Sequence, residues 1–143
     1  MKRIYLAILL SVVLFVLVPW TPAQAQSAED LAKGQGPGVR YIKPYSDECT
    51  RGKLIIEIRG NEVTDADFLE WATRGCTAPN HSVGTLHKYS VNRVTNKYMD
   101  GNKLILELAS DLPWGLTRVI VDGHEATKCG KDQKCYGGFT REQ

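Results

Sequence analysis

The sequence predicts a small α+β domain in which an antiparallel β-sheet carries one main helix and two disulfides. Three observations lead there. Short apolar runs rich in β-branched residues alternate with Gly- and Asp-containing turns. One stretch between two such runs has helix-like ends. Four cysteines follow a leader of the kind that directs export.

The leader is MKRIYLAILLSVVLFVLVPWTPAQA. Lys2 and Arg3 precede an apolar run from Ile4 to Val18, Pro19 and Pro22 break it, and Ala23-Gln24-Ala25 supplies small residues for signal peptidase. Residues 1–25 therefore read as a signal peptide cut before Gln26. The run is short for a bilayer span, which takes about 20 apolar residues. An uncleaved anchor that keeps the protein on the envelope is the alternative. Residues 26–38, ending in Gly-Gln-Gly-Pro-Gly, read as a flexible lead-in, and residues 39–143 as one domain.

The expected strands begin with VRYIKPY, an edge strand ended by Pro44. KLIIEIRGN, from Lys53, is the first strong strand, with Glu57 and Arg59 on one face. TDADFLEWATRG then reads as a helix. Thr64 is placed as its N-cap, Asp65 and Asp67 sit in the first turn where the helix dipole favours negative charge, and Arg74-Gly75 closes it. Residues 84–99 and 102–109 flank Asp100-Gly101, a two-residue hairpin signal. Leu112-Pro113-Trp114-Gly115 is a turn, LTRVIVDG another strand, and HEATKC with CYGGF a last short pair.

The cysteines are paired by geometry. Cys129 and Cys135 bound a five-residue Gly/Lys/Asp loop, which places them opposite each other at the base of a hairpin. Their spacing suits neither a zinc knuckle nor a C-x-x-C redox motif. Cys49 before the first strong strand and Cys76 after the expected helix are brought together if the helix folds back along that strand. Both pairs are expected as staples in an oxidising compartment.

Function is weakly encoded. The chain has 18 Lys+Arg and 16 Asp+Glu. Removing Lys2 and Arg3 with the leader leaves 16 of each, so a nucleic-acid partner, which needs a cationic face, is not favoured. His81, His87 and His124 are not spaced as metal ligands, and no cofactor or metal is expected. The expected role is a non-enzymatic, periplasmic or secreted domain of bacterial type that binds a protein or another envelope component, touching the membrane only through residues 1–25 before cleavage. Its candidate surface is Trp114 with Arg93, Lys97, Tyr98 and Lys103, because aromatic rings mixed with cations dominate binding hot spots. The alternative is a small secreted nuclease-type hydrolase using Glu57, Arg59 and His87 for acid–base chemistry.

Overall fold

Alternation with a period of two runs through almost every segment after residue 38, as strands with one face turned inward require. The computed structural model describes residue 31, residues 36–74 and residues 83–143. Its eight strands are β1 (Val39–Ser46), β2 (Thr50–Arg59), β3 (Glu62–Ala72), β4 (Leu86–Asp100), β5 (Lys103–Ala109), β6 (Leu116–Asp122), β7 (Glu125–Gly130) and β8 (Cys135–Arg141). Each pairs antiparallel with its sequence neighbours, and β8 returns to β1, so the sheet is a closed barrel. Closure removes the free sheet edges that an open meander would expose.

The expected α+β class is therefore corrected to all-β. The segment read as the main helix is β3, paired on one edge with β2 and on the other with β4. The register sets Val63 opposite Ile58 and Asp65 opposite Ile56, both interior isoleucines, with Asp67 next on the same face opposite Leu54. Period two is thus present in β3, but its interior positions include two aspartates, and local helix signals hid it. Pairing along both edges overrides that local preference.

Of the two disulfides expected, one lies wholly within the described residues: Cys129–Cys135, whose Cα atoms are 4.1 Å apart across the β7–β8 pair. Cys49 is itself disulfide-bonded, but Cys76 lies outside the described residues. The helix invoked to join them does not exist; a β2–β3 hairpin instead brings Cys49 beside the end of β3, where its carbonyl accepts from the Thr73 amide at 2.7 Å.

The two ends of the barrel differ. At the base lie the start of β1, the end of β8 and the β2–β3, β4–β5 and β6–β7 turns. Val39, Ile58, Val63, Leu104, Val121 and Ala126 pack there, with Ile56, Leu106, Val119 and Phe139 among the side chains above them. An eight-stranded barrel is just wide enough for side chains to fill its interior. Leu31, from the segment expected to be a flexible lead-in, is also buried in this cluster. The opposite end carries the β1–β2, β3–β4, β5–β6 and β7–β8 connections, and its interior is polar.

The seam between β1 and β8 is the shortest pairing, joining Tyr41 to Arg141 and Ile42 to Thr140. The Arg40 carbonyl accepts from the Glu142 amide at 2.9 Å, so even-numbered positions of β1 turn their backbone groups towards β8. Pro44 is the next such position and has no N–H to donate. Beyond it the Lys43 ammonium donates to the Gly137 carbonyl at 2.8 Å. A side chain thus takes over where the ladder stops. Pro44 itself does not end β1, which continues to Ser46.

Candidate functional site

The polar end is built from interior-facing positions of five strands. Asp65 and Asp67 come from β3, Ser90 and Asn92 from β4, Lys43 from β1, Lys128 from β7 and Phe139 from β8. Strands β3 and β7 stand four apart in a ring of eight, so they face each other across the barrel. The Lys128 ammonium donates to Asp65 Oδ1 at 2.5 Å, and both side chains are largely buried. This ion pair spans the lumen and forms a floor between the apolar base and the open mouth. Lys128 and Lys43 also lie over the Phe139 ring, 5.5 and 6.0 Å from its centroid, a favourable contact of cation with π-face.

Beside the floor, Asp67 is 1% exposed. The Tyr89 hydroxyl donates to its Oδ2 at 2.7 Å, and His87 Nδ1 stands 3.6 Å from its Oδ1. Tyr89 is the extra residue of a β4 bulge between the Asp65–Ser90 and Ala66–Lys88 pairs. Bulges re-aim a side chain in this way. Burial pushes the Tyr89 hydroxyl well above the ordinary tyrosine pKa, and its hydrogen bond to the Asp67 carboxylate pushes it further. Tyr45 is raised by burial and then by the nearby Asp67 charge. At the β1–β2 turn, amides of Thr50 and Cys49 donate to Asp47 and hold its carboxyl below the usual range.

The rim is set by the β5–β6 connection. The Gly115 amide donates to the Leu112 carbonyl at 3.0 Å, which closes the Leu112–Gly115 turn. A Cβ at Gly115 would run into the Ser110 Cβ and Oγ, so only glycine fits. The turn lifts Trp114 to the surface, 62% exposed. Its indole Nε1 donates to the Tyr89 carbonyl at 3.0 Å, which fixes the ring's direction. The start of β6 is tied to the same strand, because the Leu116 amide donates to Asn92 Oδ1 at 2.9 Å and Asn92 Nδ2 donates to the Val63 carbonyl. A cavity of about 270 Å³ opens between Trp114 and Tyr136, with Asp65 and Lys128 beneath and Lys131 and Asp132 beside it.

The residues expected to form a binding surface are not all brought together. Trp114 stands on the rim of the open end. Tyr98 and Lys103 flank the Asp100–Lys103 turn at the base, where Lys103 pairs with Asp122 at 3.7 Å. Lys97 donates to Asn61 Oδ1 at 3.1 Å, in the base turn between β2 and β3. Arg93 lies mid-strand in β4, opposite Glu62. Trp71, within the segment read as a helix, is 47% exposed at the end of β3.

The acid–base trio is divided as well. Glu57 faces outward between Arg40 at 2.6 Å and Arg59 at 3.6 Å. These three line a charged depression near the base with Arg141 and Glu142, whereas His87 is at the polar end against Asp67. His124 occupies a base turn and His81 lies outside the described residues. Among the described residues no three His, Cys, Asp or Glu side chains gather as metal donors. No protein-family model matches this chain, and no curated protein or solved structure is significantly similar to it.

Proposed function

We propose that the chain is an exported, non-enzymatic binding domain, periplasmic or secreted, whose open barrel end engages a protein or another component of the cell envelope. One observation carries this reading. Of the nine large apolar side chains that stand exposed among the described residues, six (Trp71, Val83, Leu86, Tyr89, Trp114 and Tyr136) belong to the open end. Concentrated exposure of that kind marks contact surfaces rather than random surface composition. Amphipathic rings on a rigid frame are the usual anchors of such surfaces.

Export is supported by the leader-like first 25 residues and by the oxidised Cys129–Cys135 pair. The hydrolase reading gains nothing from the geometry, since Glu57 and Arg59 share no cleft with His87.

The test is a quantitative capture assay from envelope extracts. Trp114→Ala should weaken capture by more than ~1 kcal/mol, while Tyr98→Ala at the opposite end and Glu57→Ala should leave it unchanged. Nuclease activity in the purified protein that disappears in Glu57→Ala or His87→Ala would replace the binding reading with the enzymatic one.

A further inference from the structure

The open end has three properties that together restrict what it can hold. Its cavity of about 270 Å³ falls just below the usual span of ligand pockets, roughly 300 to 1,000 Å³. It accommodates one or two rings or a short chain end. Its formal charge is balanced, because Asp65 and Asp132 are matched by Lys128 and Lys131. Neither an anion nor a cation is selected, and a net charge on the ligand would find no excess counter-charge. Finally, two exposed rings, Trp114 and Tyr136, stand over a floor that offers both hydrogen-bond donors and acceptors.

A neutral ligand with a flat apolar face and edges that both donate and accept hydrogen bonds matches all three. Sugars have that chemistry: axial C–H bonds make one face of the ring apolar, and hydroxyls line its edge. A peptide side chain would satisfy the size but would leave much of the polar floor facing apolar atoms, at a desolvation cost.

We propose that the barrel mouth binds a neutral saccharide, with one sugar ring stacked on Trp114 and its hydroxyls reaching Asp132, Lys131 and the Asp65–Lys128 pair. The indole is already oriented by its bond to the Tyr89 carbonyl at 3.0 Å, so little ordering is left for the ligand to impose. The inference rests on the reading of the open end as the docking surface, and it names the envelope component as glycan.

Isothermal titration of the exported protein with two neutral tetrasaccharides, one of glucose units and one of N-acetylglucosamine units, tests it. Saturable binding to at least one is expected. Trp114→Ala and Tyr136→Ala should each weaken it at least tenfold with the melting temperature preserved, and Tyr98→Ala should change it less than twofold. Absence of saturable binding to both sugars at millimolar concentration overturns the saccharide inference, as does binding that neither mouth variant weakens.

A photo-crosslinking amino acid at position 136 separates that failure from failure of the docking reading. If sugars do not bind and position 136 crosslinks to one envelope protein, the mouth is a protein-docking site and the saccharide assignment is wrong. If sugars do not bind and no crosslink forms, both readings fall.

Discussion

The base and the mouth of this barrel are built from the same strands, yet they solve opposite problems. At the base, alternate positions of most strands point apolar groups inward, and Leu31 joins them from before β1. At the mouth the same alternation delivers Asp65, Asp67, Ser90, Asn92, Lys43 and Lys128 to the interior, so each polar group must find a partner inside the sheet. Asn92 bridges two strands and an amide, and Lys128 meets Asp65 across the lumen. The comparison teaches that stability resides in one half, while the other spends hydrogen-bonding capacity on keeping a shaped opening.

The largest expected effect sharpens that division. Lys128→Ala leaves Asp65 as an unpaired, largely buried carboxylate, and breaking such a pair costs roughly 3 to 5 kcal/mol. Replacing both partners, as in Asp65→Leu with Lys128→Met, should recover most of that loss, because a buried ion pair gains little over a well-packed apolar pair. Urea denaturation of the two single variants and the double variant measures it. A double variant as unstable as the singles would show that the pair shapes the mouth by more than charge balance.

Next in size, Leu106→Ala in the base should destabilise by about 2 to 5 kcal/mol through the cavity it leaves, while binding at the open end keeps its affinity. Chemical denaturation and titration of the same sample check both halves of that statement. Smaller again is Cys129→Ser. The bridge closes a loop of about seven residues, for which chain entropy gives roughly 2 to 3 kcal/mol. Hydrogen exchange should show the loss concentrated in β7, β8 and the Lys131–Lys134 turn, with base amides still protected.

The smallest effect is electrostatic. Tyr41 is raised by burial, partly offset by Arg141, whereas Tyr45 and Tyr89 are raised by burial and by Asp67. A folded pKa above the unfolded value means stabilisation that is fully present below about pH 10 and is lost as pH rises through the folded value. Alkaline titration followed by tyrosine absorbance should therefore give late transitions. Asp67→Asn should bring those of Tyr45 and Tyr89 down and leave that of Tyr41 in place. Equal movement of all three would mean that the two ends are electrostatically one compartment.

Parts of this were legible in the residues. Asp100-Gly101 announced the β4–β5 hairpin, Leu112–Gly115 announced the turn that carries Trp114, and the Cys129-to-Cys135 spacing announced a bridge across the last hairpin. β3 was not legible, because Asp65 and Asp67 beside Thr64 imitate a helix start, and their role inside the barrel depends on β7, sixty residues away. The one available signal was phase: Val63, Asp65, Asp67 and Leu69 keep period two. His87 was read as a partner of Glu57 and Arg59, and the register opposite Asp67 turns it towards the mouth instead. Lys128 was not singled out at all, since nothing near it in sequence reveals a carboxylate across a lumen.

The seam where Pro44 interrupts the ladder has a kinetic meaning. Seven of the eight strand pairings join neighbours along the chain, and all of these except β3–β4 are closed by a short loop. The eighth brings Tyr41 to Arg141, a hundred residues apart, and its loop-closure entropy is the largest in the molecule. It is also the pairing with the fewest backbone bonds to reward it. The ring should therefore zip as a row of hairpins and latch last, and the same latch should be the first place the native barrel opens.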